Sequence, residues 1–390
     1  MLIKEDKWSN GGCYHVEGLP DPIYNGKVAM EYELQGKKVT FDFFDDLFIK
    51  CRPWVEPKQS LADMYSRRVR QLRAKYDYIV LMYSGGADSH NILKFFEHTG
   101  EHLDEIITFE DSAYLGKDSI ISSEVYRVAV PEVNQFCSNF PKTEFRLLNI
   151  REVQKEVFTN PELKFDPFYS MSYHFVPFSV MHAFGPWTIK KYHDLHAQGK
   201  KVCIIHGIDK PRLRLGSAGN WEFRFNDFTS HVMHKHYDRE YPYYDEFFYW
   251  TPDDPWLSIK QAHVTAKHLD QLDQTQMDFK WRLDHNINCV KTKAGKRVNW
   301  ELMNHVIYPF WNQFTYSSGK QTESIFTNSR DPTLSIYNDE MFDQYKKGTE
   351  KSKQLAQLKP ATAGQLRGTD ETTVVGINNY FSRTQPLEFK

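Results

Sequence analysis
The stretch Tyr78-Ile-Val-Leu-Met-Tyr-Ser-Gly-Gly-Ala-Asp-Ser-His-Asn-Ile-Leu93 constrains the fold of this chain more than any other. Tyr78 to Tyr83 are all apolar or aromatic, the pattern of a short strand buried on both faces. Ser84-Gly85-Gly86 breaks that strand. Asp88-Ser89-His90-Asn91 then opens a run with Ile92, Leu93, Phe95 and Phe96 apolar, which predicts a helix packed on a sheet. A glycine-rich turn between a buried strand and a helix start is a place for a phosphate. Gly85 and Gly86 let the backbone come close, and the first free amides and the positive helix end face the anion. Ser84 and Ser89 add hydroxyl donors. Asp88, itself an anion, does not attract phosphate; its work at such a site is to hold a Mg2+ that the phosphates share.

Ser84-Gly85-Gly86-Ala87-Asp88-Ser89 fits every position of the SGGxDS signature, and on that motif and its context the chain resembles the PP-loop (N-type) ATP pyrophosphatases. That family includes asparagine synthetase, argininosuccinate synthetase and the sulfate-nucleotide reductases. The resemblance implies an α/β fold with a doubly wound, mainly parallel sheet. It also implies ATP and Mg2+ as cofactors, with ATP cleaved between its α and β phosphates and an acceptor adenylated. The loop, Tyr83, Ser84, Gly85, Gly86, Asp88 and Ser89, would then bind the nucleotide, with Asp88 the magnesium ligand.

Composition bounds what else the chain does. At 390 residues it exceeds a typical single domain, and 40 % apolar with 15 % aromatic residues is ample for a core. A formal charge of −2 gives no global field to recruit nucleic acid, though it leaves a local contact open, or to recruit a membrane. With no long apolar run and no secretory pattern at the start, a soluble, cytoplasmic protein is expected. The five cysteines, Cys13, Cys51, Cys137, Cys203 and Cys289, are scattered without any CxxC, as expected of reduced, partly buried thiols.

Along the chain, residues 1–58 read as a β-rich appendage. Its hairpin is expected from strands Val28–Leu34 and Lys38–Phe44 around Gln35-Gly36-Lys37. Residues 59–229 read as the nucleotide-binding domain. Ser60 to Lys75 is predicted helical, with Leu61, Met64, Tyr65, Val69 and Leu72 on one face and a basic face expected to be solvated or, alternatively, to touch a polyanion. Strands are predicted at Glu105–Phe109, Thr143–Ile150 and Lys201–Ile205, with a helix over Glu124–Phe140 that Pro131 kinks or restarts. Strand alternating with helix argues for parallel pairing. The second strand ends at Glu110-Asp111-Ser112, a polar loop or, as the family resemblance implies for this strand end, a place where Glu110 meets the adenosine. The strand at Lys201–Ile205 runs into His206-Gly207-Ile208-Asp209-Lys210-Pro211-Arg212-Leu213-Arg214. Read as a loop at the carboxyl edge of the sheet, this brings Gly207, Lys210, Arg212 and Arg214 to the edge where open α/β sheets bind ligands. It resembles the later PP-loop motif, with Lys210 and Arg212 in catalytic roles and Gly207 and Arg214 in nucleotide binding.

Residues 230–345 read as a helical, aromatic region and 346–390 as a polar tail. His231, His234 and His236 crowd together but lack a fourth ligand. His174 and His182 are weak substrate-contact candidates. Tyr249, Trp250 and Asp253 are candidates to line an acceptor pocket or to form an interdomain plug, before a helix from Leu257 to about Leu272. This segment resembles PP-loop proteins encoded by tailed phages. Tyr308-Pro-Phe-Trp311 is expected to pack back on the core.

Absences narrow the family. No cysteine follows Cys289 and no CxxC exists, against the reductase and cysteine-dependent thiolation branches. Leu2 stands where glutamine-using asparagine synthetases carry their nucleophilic cysteine, so no built-in glutaminase is expected. An ATP-dependent adenylating synthetase, ligase or transferase remains, acting on a small-molecule or nucleotide acceptor. The alternative is a non-catalytic binding or assembly protein on the same scaffold, with a protein or nucleic-acid partner.

Overall fold
The computed structural model describes residues 12–23, 26–110, 125–149, 152–153, 156, 185–207, 210–215, 220–225, 241–271, 289–291, 297–299, 304–311 and 385–387. At its centre five strands pair in parallel: β3 (Tyr78–Met82), β4 (Glu105–Glu110), β5 (Glu144–Asn149), β6 (Val202–His206) and β9 (Tyr244–Phe247). Their order is β5-β4-β3-β6-β9. The chain thus winds outward one way from β3, returns, and winds outward the other way from β6. This doubly wound order puts a topological switch point between β3 and β6.

Strand alternation divides the core in two. Ile79, Leu81, Cys203 and Ile205 point to a layer with helix α3 (Leu61–Lys75), α4 (Ala87–Thr99) and α5 (Val130–Asn139). Val80, Met82, Val202 and Ile204 point to the other, with α6 (Lys190–Ala197), Trp221 and Phe223, and the N-terminal ribbon. The predicted apolar face of α3 is buried throughout, and Ser60 closes its start with a capping box to Asp63. The predicted helix over Glu124–Phe140 begins as a π-helix, Val125–Ala129, and restarts as α5 with Pro131 in its first turn.

Several expectations need correction. Val28–Leu34 is not a strand; Gly26–Leu34 forms helix α1, with Ala29 and Glu33 buried. Ala, Met, Glu and Leu are strong helix formers, and that preference wins over the apparent alternation. β2 (Val39–Asp42) pairs antiparallel with β1 (Cys13–Val16) instead, while α2 (Asp45–Lys50) follows. The basic face of α3 is solvated only in part: Arg70 and Lys75 are exposed, but the other basic residues are half-buried or buried in ion pairs. Arg68 is completely buried and pairs with buried Glu246 at 2.7 Å, Arg67 pairs with Asp254 at 2.7 Å, and Arg73 with Asp104 at 2.6 Å. Lys75 lies 2.9 Å from Glu246, and Tyr76 donates its hydroxyl to the same carboxylate.

The segment 206–214 is not one loop. Arg212–Leu215 is strand β7, antiparallel to β8 (Trp221–Arg224), which is flanked by β12 (Gln385–Pro386). Leu213, Trp221, Phe223 and Leu387 are buried beneath this small sheet. Within the segment read as a tail, Gln385 to Leu387 are therefore held against β8. The aromatic run after residue 240 supplies β9, the fifth strand of the central sheet, followed by α7 (Pro255–Gln271). A short ribbon, β10 (Cys289–Lys291) with β11 (Arg297–Asn299), and α8 (Asn304–Ile307) complete the described elements. No helix among the described residues is long and apolar enough to cross a membrane.

Candidate functional site
The switch point brings the ends of β3 and β6 together. Past Met82, Tyr83 still donates its amide to Ile107 (2.8 Å), and then the chain leaves the sheet at Ser84. Gly85 takes φ +80°, and a Cβ there would stand 3.3 Å from the Cβ of Ala129. A side chain at that position meets both strain and contact. The serines lace the turn: the Ser84 amide donates to Ser89 Oγ, the two hydroxyls lie 3.2 Å apart, and the Gly86 amide donates to Ser84 Oγ. Gly86 occupies the N-cap of α4 in extended backbone without a side-chain cap. The positive end of α4 is therefore not covered by its own capping residue.

Gly207, the first residue after β6, sits against this helix start. A Cβ on it would fall 3.2 Å from the amide nitrogen of Ser89 and 3.3 Å from the carbonyl carbon of Asp88. Beneath it, buried His206 and Asp245 meet at 2.8 Å and tie β6 to β9. Three residues beyond Gly207, Lys210 reaches back across the switch point. Its Nζ lies 2.7 Å from Asp88 Oδ1 and 3.3 Å from Asn304 Oδ1. The two sequence stretches singled out for phosphate chemistry are thus joined by an ion pair.

One contributor was missed by the sequence reading. Tyr308, just after α8, donates its hydroxyl to Asp88 Oδ1 at 2.6 Å, and Lys210 Nζ lies 5.2 Å from its ring centroid. Tyr249 donates to the backbone carbonyl of Asp88 at 2.6 Å and accepts from Asn91 at 3.2 Å. Tyr65 donates to the Ile307 carbonyl at 2.8 Å and accepts from Gln261 at 2.9 Å. These three tyrosines pack on one another, with Tyr249 and Tyr308 centroids 5.5 Å apart. Burial pushes all three phenols up, so they stay protonated donors. Among the described residues both hydrogen bonds to the Asp88 carboxylate fall on Oδ1, and the side chain keeps 37 % of its exposure. Oδ2 takes neither of these two hydrogen bonds.

Other expectations divide. Tyr83 turns inward and its hydroxyl meets His90 Nδ1 at 3.1 Å. Burial lowers His90 to about 4, so the pair is neutral near pH 7. Glu110, at the end of β4, accepts from Tyr126 (3.0 Å) and Asn149 (3.2 Å). The π-helical segment that carries Tyr126 ends at Ala129, the residue against Gly85, so one element touches both. Arg212 and Arg214 lie on β7 rather than in the loop, and their side chains fall outside the described residues. Asp111, Ser112, His174, His182, His231, His234 and His236 lie outside them too.

Tyr249 and Trp250 lie in the core rather than on an open surface. Both are buried, Trp250 beside Phe43, Phe44, Phe225 and Phe247, while Asp253 meets Lys75 at 3.0 Å. They are core and ion-pair residues. Cys13, Cys51, Cys137 and Cys203 are free, and burial raises all four thiols, with Asp42 adding to the rise at Cys13. None is poised as a nucleophile.

No family model matches the chain, and no curated protein matches it with significance. The site rests on its geometry.

Its parts fit a magnesium-bound polyphosphate. A tight glycine turn, an uncapped helix start, a half-exposed carboxylate and a lysine converge on one sheet edge. Lys210 and the helix end would favour negative charge there, and Asp88 would offer a hard oxygen ligand.

Proposed function
We propose that this chain is an ATP-dependent adenylating enzyme of the PP-loop kind. The observation that carries the reading is the Lys210–Asp88 pair at the β3/β6 switch point, where open α/β sheets receive nucleotides. In this reading the amides and hydroxyls of Ser84 to Ser89 hold the β and γ phosphates, and Asp88 holds the magnesium. Magnesium, when bound, neutralises charge on the phosphates.

Lys210 has two partners to choose between. Without a ligand it neutralises Asp88. With Asp88 holding magnesium, the Lys210 ammonium would be available to the phosphates, where it would stabilise the charge that builds on departing pyrophosphate. An oxygen of the acceptor attacks the α-phosphorus, the bond from that phosphorus to the bridging oxygen breaks, and pyrophosphate leaves. The acceptor keeps the adenylyl group until a second nucleophile displaces AMP. An acceptor that is already an ionised carboxylate needs no general base.

Tyr308 and Tyr249 serve as positioning residues, holding the two ends of Asp88 in place. The test is pyrophosphate release on addition of candidate amino acids, nucleotides and nucleic acids, with Asp88→Asn as the control. Release that Asp88→Asn abolishes supports the reading. ATP binding without release for any acceptor would favour a binding protein on the same scaffold.

A further inference from the structure
The N-terminal ribbon carries a second site, independent of the phosphate loop. β1 and β2 pair with Cys13 opposite Asp42 and His15 opposite Thr40. Tyr14, Val16, Val39 and Phe41 of these strands belong to the core, so strand alternation sets Cys13, His15 and Asp42 together on the other face. His15 Nε2 lies 3.6 Å from Cys13 Sγ and 3.9 Å from Asp42 Oδ2. All three ligand atoms lie within 4.8 Å of one another.

The two separations from His15 are close to what a tetrahedral zinc site requires. With Zn–S about 2.3 Å and Zn–N and Zn–O about 2.1 Å, sulfur and nitrogen ligands stand about 3.6 Å apart, and nitrogen and oxygen about 3.4 Å apart. The first distance is met already. The second closes with a small rotation of an exposed imidazole. The carboxylate is held in a suitable orientation as well. Asp42 Oδ1 accepts the Phe44 amide at 2.8 Å, which turns Oδ2 toward His15. Gly12, at φ +78°, lets the two strands close at this end, because a Cβ there would come within 2.7 Å of the Asp42 carbonyl oxygen.

We propose that Cys13, His15 and Asp42 bind a zinc-class divalent cation, with a fourth position open to water. The mixed sulfur, nitrogen and oxygen set favours zinc over magnesium or calcium, which take oxygen ligands. The cation would tie two strands of four residues that α1 separates along the chain, a ribbon too short to be stable by pairing alone.

The experiment uses the full chain stripped with a chelator and titrated with Co2+. The readout is the near-ultraviolet thiolate-to-cobalt charge-transfer absorption, followed by displacement with Zn2+. One equivalent of cobalt is expected to develop the band, and Cys13→Ser to remove it. His15→Ala, at an exposed position, is expected to weaken binding at least about 10-fold with an unchanged circular dichroism spectrum. A His231→Ala/His234→Ala/His236→Ala variant is expected to bind cobalt normally. No band at one equivalent, a band that survives Cys13→Ser, or undiminished affinity in His15→Ala would overturn the proposal.

Discussion

Asp88 meets three neighbours from three distant parts of the chain: Lys210 and Tyr308 on one carboxylate oxygen and Tyr249 on its carbonyl. Each contact acts on where Oδ2 points. Replacing Lys210 by Ala is expected to lower the rate of pyrophosphate release about 100-fold or more, the size of effect seen when one preorganised charge is removed, with the fold intact by circular dichroism. Tyr308→Phe keeps the ring on Tyr249 and removes only the donor. It is expected to cost about 1.5 kcal/mol in urea denaturation and to raise the KM for Mg-ATP, because Asp88 is then free to turn. His90 gives a pH signature. Its folded pKa of about 4 lies below the ordinary 6.5, so between those values the unfolded chain binds more protons than the folded one. Stability therefore falls as pH drops from 6.5 toward 4, and His90→Asn is expected to flatten that part of the curve. A slope unchanged by the substitution would show that other groups cause it.

Elements explain what could and could not be read in advance. β3, its turn and α4 were legible because a continuous apolar run, two glycines and an amphipathic start are local signals. β7 was hidden because Arg212 and Arg214 drew the reading to charge, although Arg-Leu-Arg-Leu and Trp-Glu-Phe-Arg both alternate as strands do. β9 was hidden because its inward positions include Asp245 and Glu246, which are buried only with their partners His206 and Arg68. Burial alone would raise the Glu246 carboxyl, but Arg68 and Lys75 outweigh it and hold it below the usual carboxylate range. No local pattern announces a charge whose counter-charge lies 178 positions away. Arg68→Met is expected to destabilise the fold by about 3–5 kcal/mol by stranding Glu246, and adding Glu246→Leu to restore much of it; chemical denaturation of both variants checks this. Gly207→Ala tests the contact of β6 with α4. Its Cβ would push against the Ser89 amide, so ATP affinity is expected to fall while the melting temperature moves little.

At the scale of the molecule, the acids and arginines at the start of the sheet fasten its amino edge, while the carboxyl edge gathers the glycines, Lys210 and Asp88. The doubly wound order was foreseeable from alternating strand and helix, and so was the approach of the Lys210 segment to the Ser84–Ser89 turn at the ends of β3 and β6. That Tyr308 packs back on the core was foreseeable from its Tyr-Pro-Phe-Trp run; that its hydroxyl reaches Asp88 was not, because this depends on how α8 folds back against α7 and α3. The central claim is that this edge binds Mg-ATP through the Ser84–Ser89 turn and Asp88. Calorimetric titration of the full chain with Mg2+ and a non-hydrolysable α,β-methylene ATP tests it most directly. One site with micromolar affinity is expected, weakened at least about 100-fold in Asp88→Asn. No heat at millimolar ligand from a folded protein, or equal binding by the variant, would contradict it.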